Sequence, residues 1–183
     1  MSEDPNDSAS TDDGGPLLSS MFLEFCAKVR QDDPSILPAA GDPLIIRALS
    51  ETEDMELADA LLENTSVTYL TLKTEHYTKS SAEAMAKYVR TSKRLQRIRW
   101  LKYWETDNRG LQHCEEIFSC FLPAIQESTS LKRLDIAFPP NCGPSNLALG
   151  NMLTHTQSLR SLNLPIPPRH IDGAAVQSGL KKN

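Results

Sequence analysis

The stretch that decides the fold of this chain is Leu131-Lys132-Arg133-Leu134-Asp135-Ile136, because its L-x-x-L-x-L pattern occurs three more times. The other copies are VTYLTL (67–72), LQRIRW (95–100) and LRSLNL (159–164). Between their central apolar residues the intervals are 28, 36 and 28 residues, so the middle interval is one period plus eight. A repeat of this length with one short strand is typical of a leucine-rich-repeat solenoid.

A second apolar pattern precedes every copy and predicts a helix. Ten, seven and six residues before the first residue of each copy, the side chain is apolar in all four repeats. These offsets correspond to i, i+3 and i+4, the buried stripe of an amphipathic helix. Three residues before each copy the side chain is small and polar, which suits the end of a helix and the turn into a strand. The helix columns are Leu57, Met85, Phe121 and Leu149; Ala60, Tyr88, Ala124 and Met152; and Leu61, Val89, Ile125 and Leu153, and the polar column is Asn64, Ser92, Ser128 and Thr156.

The chain divides into three predicted parts. Residues 1–15 contain five acidic residues, no Lys or Arg and no aliphatic side chain larger than Ala, so we expect a disordered acidic tail. Residues 16–43 are interpreted as an N-terminal capping helix and a connector rich in Pro, Gly and Asp. Residues 44–183 form the repeat domain, in which Leu44-Ile45-Ile46 is predicted to be a degenerate first strand.

The predicted capping helix carries its apolar residues at helical spacing. They are Leu18, Met21, Phe22, Phe25 and Val29, and Asp33-Pro34 closes the segment. A terminal repeat exposes an apolar face that needs a cover, which favours a cap. A membrane-binding or partner-binding helix is the alternative, but the Lys/Arg density typical of a membrane helix is missing.

Charge, hydropathy and cysteine usage limit the classes of protein to which the chain can belong. The 183 residues include 19 Lys+Arg and 24 Asp+Glu, and the tail accounts for the whole net charge of −5. The chain has no apolar run long enough to span a membrane and no basic N-terminal signal, so we expect a soluble intracellular protein, cytoplasmic or nuclear. The cysteines are too few and too scattered for a disulfide framework. A zinc site would need Cys114, Cys120, Cys142 and His113, but the C-x5-C spacing is unsuitable, and we predict no cofactor.

Two irregularities interrupt the repeat. The eight extra residues fall in the segment 102–110, between Trp100 and a helix predicted around Glu115 to Gln126, and insertions of this kind map to loops that often lie on the binding side. After the last copy a Pro-rich turn at 165–168 leads into half of another helix, and the next strand would centre beyond Asn183. We therefore expect a repeat domain truncated at its C-terminus, with a poor terminal cap as the alternative.

The unit LADALLENTSVTYLTL (57–72) resembles the ribonuclease-inhibitor-type leucine-rich repeat, whose units read L-A-x-A-L-x-x-N-x-x-L-x-x-L-x-L. Ala86 keeps the second position of that pattern, whereas Leu122 and Gly150 depart from it. The resemblance implies an α/β solenoid of about four to five repeats, curved as a horseshoe, with short parallel strands on the concave side and helices on the convex side. The same repeat type serves ribonuclease inhibitors, Ran GTPase-activating proteins and innate immune sensors, so function depends on the surface.

Alternation along the strands predicts which residues reach the concave face. The residues on either side of each central apolar residue point away from the core. Arg97 and Arg133 are therefore neighbours on this face despite their like charge, which favours an acidic partner. The alternative is that Arg99 pairs with Asp135 across the strands and the remaining cations are solvated. The predicted partner-binding residues are Tyr69, Arg97, Arg99, Tyr103, Trp104, Lys132, Arg133, Asp135 and Arg160.

The sequence predicts a non-enzymatic protein–protein interaction module that binds an acidic or mixed-charge partner on this basic face. No nucleophile–base arrangement, phosphate-binding Gly loop or close carboxylate pair indicates catalysis. Binding of a polyanion, RNA or a phosphoinositide, is the alternative, and a GTPase-activating role by family analogy is less favoured. Charge reversal at Arg97 and Arg133 is expected to abolish partner capture without changing thermal stability.

Overall fold

Helices and strands alternate along the chain, as the two apolar patterns predict. The computed structural model describes residues 18–36, 42–46, 50–73, 78–101, 109–137 and 146–163. The helices are α1 (Ser20–Arg30), α2 (Glu51–Glu63), α3 (Lys79–Thr91), α4 (Arg109–Glu127) and α5 (Asn146–His155). The strands are β1 (Leu44–Ile46), β2 (Tyr69–Lys73), β3 (Arg97–Leu101), β4 (Arg133–Ala137) and β5 (Ser161–Asn163).

The five strands form one parallel sheet whose order follows the sequence, β1-β2-β3-β4-β5. Leu70 pairs with Ile98, Ile98 with Leu134 and Leu134 with Leu162, so the central residues of the four copies lie in one row. The degenerate strand joins the edge with Leu44 opposite Leu70. The eight-residue insertion therefore leaves the register of the sheet unchanged.

The predicted apolar columns lie in the core. All twelve helix positions of these columns are at most 1% exposed. The described strand positions of these columns are buried, except for Leu162, which is half-buried. Leu164 lies outside the described residues. Each large apolar side chain that is fully buried contributes about 1.5–3 kcal/mol relative to an exposed one. Because α2 packs on α3, α3 on α4 and α4 on α5, this burial is obtained between consecutive repeats.

The polar column ends the helices, as predicted. Asn64 is the C-cap of α2 and Ser92 is the C-cap of α3. The Asn64 side-chain oxygen accepts hydrogen bonds from the backbone N–H groups of Ser66 and Val67, at 3.0 and 2.8 Å. These N–H groups lie beyond the end of α2 and are no longer bonded within the helix, so the Asn64 side chain supplies their acceptor. This fixes the path of the chain into β2.

Serine side chains also join consecutive turns to one another. Ser130 Oγ donates to the Ser92 carbonyl oxygen and Ser158 Oγ donates to the Ser128 carbonyl oxygen, each at 2.6 Å. The repeat predicted the small polar residues but not these bonds between repeats. Together with the strand hydrogen bonds, they fix how one repeat sits on the next.

The N-terminal helix lies where a cap is expected, although one predicted core residue does not face inward. Helix α1 packs on α2 and buries Cys26 and Val29. Met21 was predicted on the buried stripe, but it is 79% exposed, because Cys26 rather than Met21 continues the buried side of the helix. Phe22 and Phe25 are only partly buried against the core.

The insertion differs in part from the predicted loop. Helix α4 begins at Arg109 rather than near Glu115, so the last residues of the predicted loop belong to the helix. The rest of the insertion, residues 102–108, lies outside the described residues, as do the acidic tail and the segment after Asn163.

Asp32, just after α1, attaches this helix to the first full repeat. Its carboxylate accepts hydrogen bonds from the backbone N–H groups and from the hydroxyl groups of Thr65 and Ser66. Its backbone is in the left-handed region, with φ of 54°, which Asp tolerates better than most residues. Burial alone would raise the pKa of Asp32, but the hydrogen bonds from Thr65 and Ser66 outweigh burial and lower it.

We predict that Asp32→Ala lowers the free energy of unfolding by about 1–2 kcal/mol, because several donors lose a charged acceptor. The lowered pKa means that the unfolded state binds the proton more readily. The contribution of Asp32 is therefore complete at neutral pH and is lost as the pH falls below about 4. Urea unfolding at pH 7 and pH 3 measures both effects. Asp33→Ala is the control, since Asp33 bonds locally to Ser35, and an equal loss in both variants contradicts the prediction.

Candidate functional site

The candidate site is the face of the sheet that points away from the helices, which we call the open face. Strand residues whose side chains contact the helices are the buried central residues, so their neighbours along each strand lie on the other side. Twelve of the described residues on the open face form three rows: Thr68, Gln96, Lys132 and Arg160; Tyr69, Arg97, Arg133 and Ser161; and Thr71, Arg99, Asp135 and Asn163. Five cationic side chains and one anionic side chain give these rows a net charge of +4.

At the centre of the open face, one carboxylate holds two guanidinium groups. Arg97 Nε and Nη2 both lie 2.8 Å from Asp135 Oδ2. Arg133 Nε lies 3.1 Å from each carboxylate oxygen of Asp135. Asp135 is only 5% exposed, so these hydrogen bonds are made in a partly dehydrated setting. We call this arrangement the Arg97–Asp135–Arg133 cluster.

Tyr69 supports the cluster from the neighbouring strand. The Arg97 guanidinium carbon lies 4.2 Å from the centroid of the Tyr69 ring, within the range of a cation–π contact. Tyr69 as a whole is only 8% exposed. Tyr69, one of the predicted partner-binding residues, packs its ring against the Arg97 guanidinium.

The cluster corrects both sequence interpretations of the central charges. Arg97 and Arg133 do not depend on an external acid, because Asp135 lies between them. Arg99 is directly opposite Asp135 in the register, yet the carboxylate bonds to Arg97 and Arg133. Burial alone would raise the pKa of Asp135, but the two guanidinium groups outweigh burial and lower it.

The remaining predicted cations face the solvent. Arg99, Lys132 and Arg160 are exposed, and their side chains make no ion pair with another residue in the described ranges. They therefore supply the charge that an approaching molecule meets first. Tyr103 and Trp104, also predicted to bind a partner, lie outside the described residues. Trp100 is in the core, as predicted, against Phe118 and Phe121.

Sequence reasoning missed one surface feature. A groove of about 490 Å³ lies beside α1 and is lined by Met21, Phe22, Phe25 and Ile36, with charged side chains at its rim. Met21 fits the helical spacing of α1, so the apolar pattern contained no signal for this groove. Within the described ranges no group of three His, Cys, Asp or Glu could hold a metal ion, and no helix there is long and apolar enough to cross a membrane.

The stacked strand–helix units and the in-register parallel sheet define a leucine-rich-repeat-like domain. Two solved structures share this fold: the tropomodulin C-terminal domain of Caenorhabditis elegans and actin-binding site 2 of leiomodin-1. The first has a TM-score of 0.57 and 14% identity over 87% of this chain and 94% of that domain. The second has a TM-score of 0.58 and 15% identity over 90% of this chain and 92% of that domain.

Comparisons of the sequence itself are negative. No protein-family model matches the chain, and no curated protein matches it. At 14% and 15% identity, the two structural matches show a common fold, and the residues of the open face must be judged on their own chemistry.

We predict that Asp135→Ala lowers the free energy of unfolding by about 2 kcal/mol, since two cations lose their shared acceptor. Arg99→Ala, the matched change on the same row, should leave stability nearly unchanged. The Asp135 contribution is complete at neutral pH and falls away below about pH 4, because the folded-state pKa is the lower one. Thermal and urea unfolding measure both. Equal effects of the two substitutions would show that the cluster does not stabilise the fold.

The same geometry changes the expectation for charge reversal at Arg97 and Arg133. Two glutamates there would surround the buried Asp135 carboxylate with like charge and leave it without a donor. The structure therefore predicts a loss of thermal stability, which makes that double variant a poor test of partner binding.

Proposed function

We propose that this chain is a non-enzymatic module that binds another protein of acidic or mixed charge through the open face. The supporting observation is the set of exposed cations Arg99, Lys132 and Arg160, on a sheet whose one acidic side chain in the described rows is buried. Complementary charge mainly accelerates association and selects the partner.

We infer that the open face is concave and that the repeats are of the ribonuclease-inhibitor type. Neighbouring helices pack about 8–10 Å apart, whereas neighbouring strands are about 4.8 Å apart. A helix layer on one side of a sheet with sequential strand order thus takes more length than the strands do, and the units bend toward the strands. An extended concave surface of this kind suits a protein partner.

Actin is the partner to test first. The leiomodin-1 domain that shares this fold along nearly its whole length is named as an actin-binding site. An actin-binding role implies an intracellular location, which unpaired cysteines such as Cys26 also favour. The finer proposal is that an acidic part of the partner contacts Lys132 and Arg160.

The test compares two double variants with equal changes of charge. Lys132→Glu with Arg160→Glu alters the open face, whereas Lys87→Glu with Lys93→Glu alters exposed positions on and after α3. Filament co-sedimentation and capture of monomeric actin should show binding weakened about tenfold or more by the first pair and nearly unchanged by the second.

The possible outcomes separate the partner from the face. If the unaltered chain binds no actin, actin is excluded, and the same variant pair is applied to proteins captured from extract at moderate salt. Equal capture by both pairs would contradict binding through the open face.

The net charge of the open face also favours one alternative, binding of RNA or a phosphoinositide. Binding to phosphates weakens steeply with salt because counterions are released. We therefore expect the alternative to show itself in titrations with single-stranded uridine RNA and with phosphoinositide-containing vesicles at low salt. If neither titration shows binding, the phosphate-binding alternative is excluded.

A further inference from the structure

We propose that the Arg97–Asp135–Arg133 cluster is the docking point for a carboxylate side chain of the partner, and that Arg133 makes the contact with its two terminal nitrogens. This inference rests on the proposed function and deepens it, because it names one point on the open face and the chemistry recognised there.

The first step of the argument is how Arg133 uses its donors. Only Nε of Arg133 is bonded to Asp135, at 3.1 Å to both oxygens. Its terminal nitrogens, which carry four of the five N–H donors, make no hydrogen bond to another residue in the described part of the chain. The side chain is 45% exposed, so this planar fork is open to a ligand. Arginine presents such a fork to a carboxylate in a bidentate way.

The second step is that the fork is held in place before a ligand arrives. Asp135 is almost fully buried and fixes Arg133 at Nε. Oδ2 of the same carboxylate also bonds to Arg97, whose guanidinium is itself packed on Tyr69. An arginine anchored in this manner loses less conformational freedom on binding than a free one. Asp135 is thus a positioning residue that acts through Arg133.

The third step is the charge of the cluster, which favours a carboxylate over a dianionic phosphate monoester. Two guanidinium groups and one carboxylate leave a single positive charge, which one carboxylate neutralises. A dianionic phosphate would exceed that charge. The exposed Lys132 and Arg160 lie beside Arg133 and suit further acidic residues of the same segment.

The probe for this inference is a fluorescein-labelled peptide of twelve residues with alternating Glu and Ala, compared with a Gln–Ala peptide of the same length. Anisotropy titrations at low salt should show that the unaltered chain binds the Glu peptide and not the Gln peptide. Arg133→Lys keeps the charge but removes the fork, so we expect binding about tenfold weaker. Arg90→Lys is the matched control, because Arg90 is 46% exposed and lies on α3, away from the sheet face, and it should stay within about twofold.

Asp135→Asn distinguishes positioning from simple charge attraction. The variant makes the open face more positive, so non-specific attraction would tighten binding of the Glu peptide. If Asp135 holds the fork, binding weakens instead, and the side-chain Nε–H resonance of Arg133 loses the shift of a charge-assisted hydrogen bond. Tighter binding with an unchanged resonance would overturn the inference. Arg133 is solvent-accessible, so Arg133→Lys decides the matter even if Asp135→Asn fails to fold.

The remaining outcomes separate this inference from the proposed function. If Arg133→Lys and Asp135→Asn bind the Glu peptide like the unaltered chain while Lys132→Glu with Arg160→Glu does not, the cluster is only structural and the open face still binds acidic chains. If none of these variants changes binding, both proposals fail. Preference for twelve-nucleotide uridine RNA over the Glu peptide also overturns the carboxylate assignment.

Discussion

The structure depends on one constraint: a single repeat cannot bury its own apolar face. Leu70 or Ile98 alone would sit on a strand of five residues with one helix behind it, and such a unit has too little core to offset the entropy of ordering it. Burial becomes complete only when the next unit stacks in register. For this reason the same residue types recur at the same position of each repeat. An edge of the array has no next unit, and here helix α1 packs against the first repeat, joined to it by the Asp32 contacts.

The sequence was sufficient for the parts of the fold that obey this constraint. The apolar columns predicted the strand order, the pairing of Ile98 with Leu70 and Leu134, and the buried side of helices α2 to α5. It was less successful where no repetition constrains the chain. Met21 fits the helical spacing but faces solvent, and α4 starts earlier than predicted because a helix can extend beyond its apolar stripe.

The candidate site was also predicted only in part. Period-two alternation placed Arg97, Arg133 and Asp135 on one face, which the register confirms. Alternation did not predict which arginine pairs with the Asp135 carboxylate. The opposite neighbour Arg99 and the diagonal neighbour Arg97 both have side chains long enough to reach it. The choice depends on side-chain conformation, and packing of Arg97 on Tyr69 favours the diagonal arrangement. A cationic face can thus contain a buried anion that orders it.

The contacts of Arg97 have a mechanical meaning. Arg133 belongs to β4, Arg97 to β3 and Tyr69 to β2, and Asp135 joins the two arginines. A pull on Arg133 is therefore passed across the strands to Tyr69, in addition to the backbone ladder. These side chains connect β2, β3 and β4 on the open face, while the Ser130 and Ser158 hydroxyl groups connect the turns that lead into the strands. A force applied to Arg133 is therefore shared by three repeats.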